Sequence, residues 1–132
     1  MDELESFEQA VLAQAPPGAL LVGASISPDG KHGAALTVYP AANYLMDDVF
    51  VRDGDRWELR MAGGGGGIGW SWLGGEEGVG VLRFEGRARA GTSWALVTFQ
   101  AERHRVPVRH GYFQFVAWNV GDEAQPSLDG FE

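Results

Sequence analysis

Residues 48–61 read "DVFVRDGDRWELRM". Apolar and polar positions alternate with a period of two on both sides of Asp53-Gly54-Asp55. Val49 and Val51 mark one arm, and Trp57, Leu59 and Met61 the other, with Arg52, Glu58 and Arg60 facing water. A helix would repeat its apolar face every 3.6 residues; a period of two belongs to an extended strand with one buried face. Asp-Gly between two such arms is a tight-turn signal, because glycine takes a positive φ without steric cost. The stretch is therefore a β-hairpin, and the same period can be followed outward from it.

Upstream, "HGAALTVY" (32–39) places His32, Ala34, Leu36 and Val38 on one face, and "ALLVGASIS" (19–27) has both faces apolar or small. "SPDGK" joins them, Pro28 presetting the turn and Gly30 taking the left-handed position. A looser stretch, residues 40–47, leads into the central hairpin. The chain begins differently. In "DELESFEQAVLAQAPPG" (2–18), Leu4, Phe7, Val11 and Leu12 recur at helical spacing, Asp2 can cap the start, and Pro16-Pro17-Gly18 stops the helix. A helix of about three turns is not stable alone, so its stripe must pack on the rest of the protein or on a partner.

Downstream, "IGWSWL", "VGVLRFEGRARA", "TSWALVTFQAE", "HRVPVRH" and "YFQFVAWNV" are further strand candidates. The acidic tail, residues 121–132, is expected to be frayed or an edge. Eight or nine short strands with turn signals every 8 to 12 residues predict an all-β, antiparallel β-sandwich, Ig-like or similar, with one short N-terminal α-helix within residues 1–15. A chain of 132 residues fits a single domain spanning 1–132. No βαβ alternation occurs, so a Rossmann-type sheet is excluded.

Composition narrows the function classes. The chain has no cysteine, so disulfides, thiolate metal sites and cysteine nucleophiles are excluded. The net charge of −8 argues against nucleic acid and against anionic membrane surfaces, since both require cations on the protein. The longest apolar run, "GALLVGASI", is too short to span a bilayer and lacks the basic flank of a signal peptide. A cytoplasmic protein is expected.

The most conspicuous segment is "MAGGGGGIGWSW", residues 61–72. A phosphate-binding loop needs a following lysine, a Ser or Thr, and a helix N-terminus; none follows. The glycine run reads as a flexible hairpin connection, or alternatively as a close-approach loop beside a ligand, in which Gly65 and Gly66 would take part. Trp70 and Trp72 share one face of an extended segment. Their rings could stack on a sugar, or they could point into the core beside Trp57, Trp94 and Trp118. Arg103, Arg105 and Arg109 form the one basic concentration and could receive an acidic partner or an anionic ligand; alternatively they are a solvated strand face or pair with Glu85 or Glu102. For the chain as a whole, a protein partner or a homo-oligomer is the expected association.

His104 and His110 would lie about 20 Å apart at strand rise, too far for one metal ion. Asp47, Asp48, Asp53 and Asp55 read as turn residues around a hairpin. No nucleophile elbow and no H-E-x-x-H motif is present. Neither a metal nor a cofactor is expected. The leading expectation is a non-enzymatic, intracellular interaction domain. The alternative is a small-ligand or carbohydrate-binding module using Trp70 and Trp72, and a hydrolytic enzyme ranks last.

Three phrases taken together, "SPDG" near the N-terminus, the central "GGGGGIGW" and the terminal "VPV" followed by "GYFQFVAW", make the chain resemble a group of small actinobacterial β-sandwich proteins. The resemblance spans most of the chain. It implies the fold and carries no function with it.

Overall fold

The computed structural model describes residues 2–65, 68–74, 80–123 and 125–132, with backbone only at 64 and 65. Ten strands lie in three antiparallel sheets, preceded by one helix. They form two compact units, Met1–Gly66 and Gly67–Glu132.

The first unit opens with α1 (Glu3–Gln14), whose start is capped as the sequence predicts: the Asp2 carboxylate accepts from the Glu5 N–H at 2.8 Å. Four strands follow as a meander, β1 (Leu20–Ile26), β2 (His32–Tyr39), β3 (Tyr44–Asp53) and β4 (Arg56–Gly65), in spatial order of sequence. The β1–β2 turn is locked by polar groups. Ser27 Oγ donates to Asp29 Oδ1 at 2.6 Å and accepts from the His32 N–H at 3.0 Å, while Asp29 also accepts from the Lys31 N–H. These bonds hold the exposed Asp29 carboxyl below its ordinary value, the Ser27 hydroxyl first.

One face of this sheet carries α1. Phe7 and Val11 are buried there with Ala35, Phe50 and Trp57, and the Phe7 ring meets Phe50 edge-on at 5.5 Å and Trp57 at 4.6 Å. Gly33 makes this approach possible: a Cβ at that position would sit 2.4 Å from Phe7 Cζ. Only half of the predicted helix stripe is used. Leu4 and Leu12 stay about 40 % exposed.

The central hairpin has the expected two-residue loop, with Asp53 opposite Arg56 and Gly54 at φ 65°. Its faces differ from the sequence reading. The register shifts between Val49 and Phe50, so that Val49 faces Met61 while Phe50 faces Leu59. Arg60 is the extra residue of a β-bulge. Trp57 and Leu59 therefore share the helix side with Phe50, and only Met61 lies with Val49. Arg52, expected in water, comes to the helix side too. Its guanidinium lies 5.4 Å from the Trp57 ring centre, and it pairs with Glu3.

A second correction concerns the glycines. Gly63, Gly64 and Gly65 are not a loop: they continue β4, paired with Asp47, Met46 and Leu45. Backbone hydrogen bonding to β3 supplies the order that glycine's own entropy opposes.

The second unit has two three-stranded sheets. One is ordered β5 (Gly69–Leu73), β6 (Val81–Arg87), β9 (Tyr112–Ala117); the other β10 (Ser127–Phe131), β7 (Trp94–Phe99), β8 (Glu102–Pro107). One core cluster draws on both: Leu82 and Phe84 from β6, Phe113 and Phe115 from β9, Val97 and Phe99 from β7. The acidic tail supplies β10, an edge strand paired to β7.

Candidate functional site

A cavity of about 360 Å³ opens on the helix side of the first sheet. It lies at the C-terminal end of α1. The last helical turn contributes Val11 and Gln14, and the chain then leaves through Ala15 and Pro16. The Gln14 side-chain amide donates to the Trp57 carbonyl at 2.9 Å, which ties this end of α1 to β4.

The floor is one face of β3. Tyr44, Met46, Asp48 and Phe50 alternate along the strand and all line the cavity, as the period of two requires. The far wall is β4, where Leu59, Ala62 and Gly63 line the space. The Arg60 bulge determines which residues these are: it brings Ala62 opposite Asp48 and leaves Met61 on the other face. A small side chain at 62 and none at 63 keep the wall thin.

Asp48 is the only carboxylate in this lining. It sits mid-strand among apolar side chains, and among the described residues it has neither a cation nor a hydrogen-bond donor as partner. Burial disfavours its charged form and the neighbouring Asp47 carboxylate adds repulsion, so its carboxyl is pushed up to about 6. Tyr44 is the one other titratable side chain lining the cavity. Asp47 faces the opposite side of the sheet, opposite Leu36.

The sequence reading had placed Asp47 and Asp48 among turn residues; both lie within β3. The available signal was the alternation Tyr44, Met46, Asp48, Phe50, a carboxylate standing in an otherwise apolar face.

The residues singled out from sequence as candidate sites are not among those lining this cavity. Trp70 and Trp72 share a face of β5, opposite Phe84 and Leu82, but their surroundings differ. Trp72 packs against the core cluster and donates its indole N–H to the Val120 carbonyl at 2.9 Å, whereas Trp70 is 41 % exposed. Gly65 ends β4 opposite Leu45; Gly66 lies outside the described residues.

Arg103 and Arg105 lie on β8 and pair with the acidic tail instead of Glu85 or Glu102. Arg103 reaches Asp129 at 3.5 Å and Arg105 reaches Glu132 at 3.2 Å, the latter guanidinium also lying 4.3 Å from the Trp94 ring centre. Arg109 falls beyond β8, where its backbone bridges Tyr112. His104 stacks near Phe115 at 4.9 Å, and His110 sits in a turn at φ 56°. Among the described residues no group of three or more His, Cys, Asp or Glu side chains could hold a metal ion, and no helix is long and apolar enough to cross a membrane.

The fold and site thus define a mostly β chain in two units, the first carrying an open, apolar cavity with one carboxylate on its floor. Compared with protein-family models, with curated proteins and with solved structures, the chain matches none.

Proposed function

We propose that this protein is a binding module that holds a small, predominantly apolar molecule in the cavity between α1 and the β3–β4 hairpin. The observation that carries the reading is the cavity itself. Its volume lies in the range of small-ligand sites, and its walls are mainly hydrophobic with a few placed polar groups. Tyr44 and Leu59 at its mouth are 46 % and 47 % exposed, an apolar rim that a ligand would cover. A single carboxylate, with no lining histidine or serine beside it, favours recognition over acid–base or nucleophilic catalysis. The β-sandwich reading is supported best in the second unit, where one core draws on both sheets.

Backbone amide shifts of the 15N-labelled protein, titrated with small aromatic and aliphatic compounds, test this. Binding should move Met46, Leu59 and Ala62, and Ala62→Phe, which fills the cavity from its exposed wall, should abolish the effect. Shifts that map elsewhere or persist in the variant would remove the assignment.

A second reading, docking of a protein partner or a second copy on α1, draws on the exposure of Leu4 and Leu12. Sedimentation of Leu4→Glu/Leu12→Glu against the parent decides it, an unchanged mass distribution in a self-associating parent counting against it.

A further inference from the structure

The one charged side chain lining the cavity is a carboxylate, and this narrows what it can hold. Resting on the reading of the cavity as a binding site, we infer that its ligand is a small organic amine, bound as the ammonium ion. The charged head would meet the Asp48 carboxylate, and the apolar body would lie against Met46, Phe50 and Leu59.

Three features point the same way. The first is Asp48, a half-buried carboxylate without a cation as partner among the described residues. A carboxylate among apolar walls is costly alone and becomes favourable when an opposite charge arrives with hydrogen-bond donors. The second is the end of α1. Its last turn lines the cavity and contains no basic side chain, so the negative end of the helix dipole remains to be complemented by a cation. The third is the wider field. Residues 1–66 carry ten carboxylates against four basic side chains, and none of the four lines the cavity. Tyr44 at the rim adds an aromatic face of the kind that attracts ammonium groups.

An anionic ligand would meet repulsion from Asp48 and from the negative end of α1. A neutral one would leave Asp48 uncompensated.

The test uses the intact chain and three matched probes: 2-phenylethylamine, 2-phenylethanol and 3-phenylpropanoate, titrated by calorimetry at pH 7.5. The expected order is amine tightest, by roughly tenfold or more over the alcohol, with the carboxylate weakest. Asp48→Asn should lower amine affinity by about the same factor and leave the alcohol unchanged. Lowering the pH from 7.5 to 5 should likewise draw amine and alcohol together, as Asp48 takes up a proton. Equal binding of amine and alcohol, or an Asp48→Asn protein that keeps the preference, would overturn the inference while leaving the cavity a ligand site. Failure of all three probes to bind would overturn the cavity reading, and this inference with it.

Discussion

Replacing Asp48 by asparagine should make the protein more stable at neutral pH, the reverse of the usual result for a half-buried polar position. The reasoning begins with the strand. Asp48 lies on the apolar, helix-side face of β3, next in sequence to Asp47. Desolvation, and then repulsion from Asp47, raise its carboxyl from an ordinary 3.8 to about 6. A group whose folded pKa is raised binds its proton more tightly in the native state. Its contribution to stability is fully present below the unfolded value and is lost as pH rises through about 6.

A displacement of that size sets a ceiling of about 3 kcal/mol. The side chain is still partly in contact with water, and screening reduces the expected figure to roughly 1–2 kcal/mol. Asparagine keeps the shape, carries no charge and breaks no hydrogen bond, because Asp48 makes none among the described residues. Urea unfolding followed by circular dichroism should therefore show Asp48→Asn ahead of the parent by about 1–2 kcal/mol at pH 7.5. The advantage should shrink to between about a fifth and a third of that at pH 4. A variant no more stable at pH 7.5, or equally advantaged at both pH values, would refute the account of Asp48 as an uncompensated charge.

Two further predictions concern packing. Gly33→Ala should cost about 1–3 kcal/mol in urea unfolding, because its methyl would fall 2.4 to 3.0 Å from three atoms of the fully buried Phe7 ring, which Phe50 and Trp57 prevent from turning aside. A neutral result would mean that α1 slides freely on the sheet. Trp72→Phe should destabilise by about 1–3 kcal/mol through loss of its bond to the Val120 carbonyl and of ring volume, while Trp70→Phe should fall within about 0.5 kcal/mol of the parent. Comparable losses at both positions, measured in the same assay, would contradict the division of the two rings between core and surface.

The elements that depend on local pattern were legible in the sequence. Asp2, the Phe7–Val11 spacing and Pro16-Pro17 announce α1, and strict alternation announces the strands of the central hairpin. Features that depend on pairing were not. The Arg60 bulge arises because the strands are in register both at the turn and at the glycines, with one residue too many between them, and neither constraint is local. Gly63 to Gly65 have no intrinsic strand preference, so only their bonds to β3 make them a strand.

Asp48 was hidden for a related reason. Aspartate is depleted in strands, and a pair of aspartates before a hairpin reads as turn chemistry until the strand is seen to begin at Tyr44. The cavity is assembled from residues near 14, 46 and 62, a separation that no sequence window contains. The arginines illustrate the converse: their concentration in one segment was readable, but the partners of Arg103 and Arg105, Asp129 and Glu132, come from a tail whose pairing with β7 no local pattern announces.

The bulge bears on how a chain of this kind can vary. Counted back from the turn without interruption, the ladder would bring Met61 opposite Asp48 and close the cavity with a long thioether side chain. The surplus residue advances the count by one and delivers Ala62 in its place. The empty space is thus encoded by the number of residues between Gly54 and Gly63 together with the small residues at 62 and 63. Exchanges at Glu58, Arg60 or Met61, which do not line the cavity, leave the ligand space open, whereas a large side chain at 62 or a slip of a single position shuts it, so selection on binding would act on spacing as well as on composition.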